Sequence, residues 1–375
     1  MKKGKLLIII LVLFVATVGW GAWFGLQKPE NGAFRADVIA QMSGDGSNEQ
    51  FSRAIDPYEF TFPRDYGPHP GFQTEWWYYT GNLKTKTGRH FGYQFTIFRR
   101  ALQTEEVPGA SEWRTNQVYF GHFAVTDVQQ EQFHSFEKFS RGALGLAGAR
   151  AEPYRVWLEG WQVYKEGEEY VLLAEEEQIS LHLKMTLEKP TVFQGDDGLS
   201  QKSEDEGNAS YYYAQTRLST EGFIKVGSEH FEVKGASWLD REWSTSAFKR
   251  GESGWDWFSV QLEDNREVML YQIRYKAGGI SPYSSGSYID ASGKKTHLTH
   301  EEYSIQVLDN WKSPHTDTVF PSAWKLVIPR FNLEFTVTPL LNDQEHRHSF
   351  NYWEGAVRVS SESVNGYGYV ELTGY

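Results

Sequence analysis

The sequence predicts an all-β protein, two tandem antiparallel β-barrel domains behind an N-terminal signal or anchor segment. Composition is the first reason. Aromatic residues make up 16% of the chain, with 14 Trp, 21 Tyr and 24 Phe beside 35 Gly and only 4 Met, a mixture that favours strands and tight turns. The second reason is an ordered repeat. Trp76, Tyr78, Tyr79, Thr80 and Leu83 match Trp255, Trp257, Phe258, Ser259 and Leu262 at an offset of 179, and Tyr93-Gln94-Phe95 meets Tyr271-Gln272-Ile273 at 178. Closing blocks match as well. Tyr211-Tyr212 and Arg217-Leu218-Ser219 precede Tyr352-Trp353 and Arg358-Val359-Ser360 by 141, and Glu232–Gly235 precedes Glu371–Gly374 by 139. The third reason is that evenly spaced strand blocks without helical spacers leave sticky edges unless the sheets close or nearly close.

The chain opens with Met1-Lys-Lys-Gly-Lys5 and an uncharged, mostly apolar run, Leu6–Leu26. At a rise of ~1.5 Å per residue, such a run spans a bilayer core. The lysines ahead of it keep that end in the cytoplasm, so the remainder is expected outside the cytoplasm, periplasmic or extracellular, or anchored on the outer side of the membrane. Residues 1–26 are thus a signal peptide or anchor, and the polar residues 27–56 a linker. Domains follow at 57–245 and 250–375. In the first, Glu75–Leu83 and His90–Arg99 form a hairpin. Asn116–Asp127, Tyr154–Tyr164, Tyr170–Ala174, Ile179–Leu187, Tyr211–Leu218, Gly222–Val226 and Phe231–Trp238 continue as strands. Phe136–Ala151 is the best candidate for a helix or long loop, although its glycines weaken a helix.

With 37 Lys and Arg against 49 Asp and Glu, the formal charge is −12 and no basic stripe is visible, which argues against a nucleic-acid partner. The chain has no Cys, so disulfides, thiolate metal sites and cysteine nucleophiles are excluded. His346 and His348 are spaced for one strand face but lack an evident third ligand, so neither a metal nor another cofactor is expected. Serine-hydrolase elbows, zinc-protease motifs and phosphate loops are absent from the sequence.

Candidate site residues gather in two stretches. In Gly235–Phe248, an extended backbone puts Trp238, Asp240 and Glu242 on one face and Leu239, Arg241 and Trp243 on the other. This is either a site with two acids beside an indole or an Arg–carboxylate staple at the domain join. Along the first dense strand, Glu75, Trp77 and Tyr79 share one face, and Trp76 and Tyr78 the other. Large aromatics on both faces imply burial on both: the barrel lumen on one side, the second domain or a cleft on the other. Core packing explains such aromatics equally well. A carboxylate among indoles, Glu75, needs a partner or a function. His69, between two prolines, and His122 complete the set, each open to a structural or a functional reading.

Three motifs, His69-Pro-Gly…Gln73-Thr-Glu-Trp-Trp-Tyr-Tyr-Thr-Gly-Asn-Leu83, Ser237-Trp-Leu-Asp-Arg-Glu-Trp243 and Tyr352-Trp-Glu-Gly…Gly368-Tyr-Val-Glu-Leu-Thr-Gly-Tyr375, together resemble the lipocalin-like AttH/CrtC family. That family includes carotenoid 1,2-hydratase (hydroxyneurosporene synthase) and exported bacterial proteins described as predicted secreted hydrolases. The resemblance covers roughly residues 60–375. It implies two lipocalin-like barrels and a greasy, unsaturated or lipid-like ligand. Two functional classes are then open. One is a metal-independent hydratase or isomerase in which Asp240 or Glu242 donates a proton, with Arg241 and Glu75 as further catalytic candidates. There Trp76, Trp77, Trp238 or Trp243 stabilises a cation, and Tyr78, Tyr79, His69 and His122 complete the pocket. The other is a non-enzymatic hydrophobe carrier serving a membrane transporter, with the same aromatics as cavity lining and Asp240–Arg241–Glu242 as a lock.

Overall fold

The computed structural model describes residues 50–105, 111–246 and 251–375. The expected membrane segment Leu6–Leu26 lies outside the described residues. The first sheet contains β1 (Thr74–Lys84), β2 (His90–Ala101), β3 (Gln117–Asp127), β4 (Gln132–Arg141), β5 (Ala147–Arg150), β6 (Arg155–Leu158), β7 (Trp161–Glu166), β8 (Glu169–Glu176), β9 (Ile179–Leu187), β10 (Val192–Phe193), β11 (Leu199–Gln201), β12 (Ala209–Val226) and β13 (Glu229–Ser244). The second contains β14 (Glu252–Leu262), β15 (Glu267–Tyr275), β16 (Ser285–Ile289), β17 (Lys295–Thr299), β18 (Ser304–Lys312), β19 (Val319–Ile328), β20 (Leu333–Pro339), β21 (Glu345–Arg347), β22 (Asn351–Ser360) and β23 (Gly366–Leu372).

Both sheets have the same topology. The paired order runs β4-β3-β2-β1-β13-β12-β9-β8-β7-β6-β5 in one and β17-β16-β15-β14-β23-β22-β20-β19-β18 in the other. In each, the opening strand pairs with the closing strand, β1 with β13 and β14 with β23, antiparallel throughout. The ends curl over to enclose a packed lumen, giving two lipocalin-like barrels. Trp77, Tyr79, Phe91, Tyr93, Phe95, Trp161 and Tyr170 fill the first; Phe258, Trp324, Phe335 and Trp353 fill the second. Alternation of side chains dictates this, because the odd-numbered residues of β1 point inward and the even-numbered ones outward.

Several expectations change. The stretch 136–151 is neither helix nor long loop: β4 pairs with β3 along its length, and β5 pairs with β6. Alternation in Gln132–Arg141, with Phe133, Phe139 and Glu137 on one face, outweighs the glycines, which fall in the following turn and β5. Tyr154–Tyr164 breaks into β6 and β7 at Glu159, whose φ of 54° is a turn conformation. The strands expected at 211–218 and 222–226 are one long β12 with an irregularity between Gln215 and Leu218. The last residues of the expected linker are packed, with Phe51 and Ala54 buried, and Tyr58, Phe60 and Phe62 plug the first barrel against Tyr211, Tyr213 and Trp243.

The two barrels dock through their outer faces, β1 and β2 lying opposite β23 and β22. Asn82 Nδ2 donates to the Gly368 carbonyl (3.0 Å), and Thr126 Oγ1 to Gln344 Oε1 (2.7 Å). Gly92 permits a close approach, since a Cβ there would lie 2.5 Å from the Ala356 Cβ. Glu267, fully buried, takes Lys189 Nζ at 2.7 Å and Arg217 Nε at 2.5 Å from the first barrel.

Candidate functional site

β13 places its residues against β1 in register: Tyr78 opposite Asp240, Trp77 opposite Arg241, Trp76 opposite Glu242. Consecutive residues therefore enter different environments. The lumen-side face carries an ionic knot. Glu75 is fully buried and ion-paired with Arg99 and Arg241. The His69 backbone N–H donates to both Glu75 oxygens at 3.0 and 3.1 Å. Arg241 also donates to the Gly67 carbonyl (2.6 Å), and its guanidinium lies 4.0 Å from the Trp77 ring centre. The His69 ring stacks on Trp243 at 3.7 Å and reaches Asp65 Oδ1 at 3.2 Å. Burial opposes the charge on Glu75, but Arg99 and Arg241 hold its carboxyl well below the usual range. Glu75, Arg241, His69, Trp77, Tyr79 and Trp243 thus lie away from the inter-barrel face. Their contacts seat residues 64–72 against the sheet, and a carboxylate held by two guanidinium groups has no proton to donate.

The outward face is different. Asp240, Trp238 and Tyr78 are buried between the barrels with Tyr212, Trp257, Tyr271 and Tyr369. Half-buried Trp76 and Trp255, the first matched residues of the repeat, sit on equivalent strands and flank this cluster. Tyr78 meets Trp257 edge-on at 5.3 Å, and Trp238 meets Trp257 at 6.4 Å. Trp238 Nε1 donates to Asp240 Oδ1 at 2.8 Å. Glu242 is paired with Lys202 (3.1 Å) and accepts from Ser210 Oγ.

Two acids from the second barrel join them, and neither was singled out in the sequence. Glu354 and Glu371 lie directly opposite each other on β22 and β23, Glu354 fully buried and Glu371 half-buried. Desolvation pushes the Asp240 carboxyl up to about 8, against hydrogen bonds from Trp238 and Tyr212. Desolvation likewise raises Glu371 to about 7. It raises Glu354 well above the carboxylate range, helped by Glu371. Tyr352 hydroxyl lies 2.7 Å from His122 Nδ1, whose Nε2 faces Glu137 Oε2 at 3.2 Å. His346 stacks on Tyr352 at 4.5 Å, and with His348 its ring lies near His122. Among the described residues, no group of three or more His, Asp or Glu is arranged to hold a metal ion.

Strand pairing also relates the acids to one another. Tyr78 is opposite Asp240, and Trp257, which is 179 residues beyond Tyr78, is opposite Glu371. Asp240 and Glu371 therefore occupy equivalent positions in the two barrels. The closing-strand match by sequence paired Glu371 with Glu232 instead, an exposed residue eight positions from the structural equivalent. Register follows backbone pairing and hairpin length, not local similarity. A row of aromatics, Trp76, Phe98, Phe120 and Phe139, runs across β1–β4 from these acids to the exposed Phe139, with Phe98 and Phe120 stacked at 4.5 Å.

Two curled sheets docked through acid- and aromatic-lined outer faces define a double lipocalin-like protein. The AttH-like family model matches residues 53–375, and the chain belongs to that family. The crystal structure of an AttH protein from Nitrosomonas europaea is similar at 33% identity, with a TM-score of 0.78 over 87% of this chain and all of that one. Kievitone hydratase of Fusarium solani subsp. phaseoli is 25% identical over 175 residues, 44% of this chain and 49% of that protein. The match thus spans about half the length of that relative. The crystal structure of kievitone hydratase from Nectria haematococca shares the fold, with a TM-score of 0.65 at 15% identity over 87% of this chain and 96% of that one.

Proposed function

We propose that the protein is a metal-independent hydratase that adds water to a carbon–carbon double bond of an apolar small molecule between the barrels. The observation that carries this reading is Asp240, a buried carboxyl set among Trp238, Tyr212 and Trp257, where desolvation favours its acid form. The partial resemblance to kievitone hydratase supports it. An alkene becomes reactive toward water only after a strong enough acid protonates one carbon, and desolvation keeps such an acid loaded near neutral pH. In this reading the π pair takes the proton from Asp240. The resulting carbocation lies against the ring faces of Trp76, Tyr78 and Trp257. Water adds to the cation and loses a proton to the Glu354–Glu371 pair, whose two opposed carboxyls resist carrying two charges and exchange one proton. Return of that proton to Asp240 restores the acid, and the net change is alkene plus water to alcohol.

The chemical test is incubation with a panel of unsaturated isoprenoids in ¹⁸O-labelled water, followed by mass spectrometry for products heavier by one labelled water. Wild type should form one and Asp240→Asn should not. A substrate-independent test uses geranyldimethylamine, whose ammonium imitates the carbocation. It should quench tryptophan fluorescence on binding, about tenfold more weakly in Asp240→Asn, because its charge draws the proton off Asp240 and pairs with the carboxylate, which Asn cannot form. Ligands held unchanged by wild type, with the amine indifferent to Asp240, would leave a carrier.

A further inference from the structure

Glu354 is ringed by polar atoms that the protein itself does not satisfy. Its Oε1, the Tyr78 hydroxyl, the Tyr369 hydroxyl and both ring nitrogens of His346 are buried without a protein hydrogen-bond partner. They converge from both barrels. Tyr78 comes from β1 and lies beside Glu354, yet outside hydrogen-bond geometry. The Tyr369 hydroxyl on β23 lies beside Gly92 and Thr126, near enough to feel the Glu354 charge, and His346 Nε2 lies 4.0 Å from Glu354 Oε2. All four residues are at least nine-tenths buried. Native interiors leave few polar groups unsatisfied, and such a cluster points to a use.

We propose that Glu354, Tyr78, Tyr369 and His346 form a receptor for a neutral hydrogen-bonding group, a hydroxyl, on an otherwise apolar unsaturated ligand. This rests on the hydratase reading for its location and for the apolar part of the ligand, and it adds that the substrate is oxygenated rather than a plain hydrocarbon. An anion is disfavoured because the Glu354–Glu371 pair beside Tyr78 resists further negative charge, and Lys202 is already paired to Glu242. A hydroxyl both donates and accepts, as do the tyrosine hydroxyls and a neutral imidazole, so it can satisfy several of these atoms at once. Trp76 and the aromatic row beyond it then accommodate the hydrocarbon part.

The experiment compares geraniol with myrcene, an alcohol and a hydrocarbon of equal carbon count, by tryptophan fluorescence quenching in wild type, Tyr369→Phe and Tyr78→Phe. Phe keeps the ring and removes a buried, unpartnered hydroxyl, so both variants should fold and unfold at the same or a higher temperature. Wild type should prefer geraniol by about tenfold, and each variant should lose most of that preference. Equal binding, failure of both probes to bind, or a preference unchanged in both variants would overturn the receptor. The two readings fail separately. An Asp240-dependent amine site with no preference for geraniol removes the receptor alone. A Tyr369-dependent preference without amine binding removes the hydratase step and leaves the receptor.

Discussion

Two faces of the same strand pair treat their carboxylates in opposite ways. On the lumen-side face of β1 and β13, Glu75 has two guanidinium partners and the His69 backbone N–H shared between its oxygens, and its carboxyl is held well below the usual range. On the outward face, Asp240 lies next in sequence to Arg241, yet that guanidinium points away to Glu75. What remains for Asp240 is an indole N–H and the Tyr212 side chain, and its carboxyl rises to about 8. Burial is near complete in both cases, so burial does not separate them. Partners do. A two-residue periodicity gives one acid to the scaffold and leaves its neighbour available for chemistry.

The largest way to break this comparison is to remove the scaffold's cation. Arg241→Ala leaves Glu75 with Arg99 alone and frees the Gly67 carbonyl, and it should cost about 3–5 kcal/mol in urea unfolding, far more than loss of a surface pair. Asp240→Asn should be much milder. Below pH 8 it replaces a neutral acid by a neutral amide, so unfolding free energy at pH 6 should change by about 1 kcal/mol or less while amine binding falls.

The pH dependence sharpens the contrast because the two shifts have opposite sign. Asp240 and Glu371 are raised in the folded state, so the stability linked to their protons is complete below their unfolded values. It is lost as pH rises through about 7 to 8. Glu75 is lowered, so its contribution is present above its unfolded value and is lost as pH falls through the lower folded one. Wild type should therefore lose stability from pH 7 to pH 9, above the range in which the buried His90 and His346 and the half-buried His348 titrate, and Asp240→Asn should lose less over the same range. A still smaller effect belongs to Tyr369→Phe, a rise of a few tenths of a kcal/mol up to about 1 kcal/mol in thermal unfolding.

Much of this was legible in the sequence. Aromatic-rich blocks recurring at 179 established tandem barrels, because the opening strands keep their spacing. Alternation through Ser237–Trp243 assigned Asp240, Glu242 and Trp238 to one face and Arg241 and Trp243 to the other, as the burial pattern has it. His122 and Trp76 also reach the inter-barrel face. Glu354 and Glu371 stood in the Tyr352-Trp-Glu-Gly and Val-Glu-Leu-Thr-Gly motifs but served there only as marks of the family resemblance and, for Glu371, of the repeat. Their importance depends on which outer face of the second barrel docks against the first, a property of tertiary packing. Carrying the strand pairing of Tyr78 with Asp240 over to Trp257 would have pointed to Glu371. The knot around Glu75 was hidden for a related reason: Arg99 and the backbone of 67–72 reach it from other elements.

The most direct measurement is the titration of Asp240 by ¹³C NMR of carboxyl-labelled aspartate, with Asp240→Asn assigning the resonance. An Asp240 carboxyl still protonated at pH 6 and titrating near pH 8 is the predicted result. Titration near pH 4, with a carboxylate already formed at pH 6, would contradict the account, because the proposed proton donor would be empty.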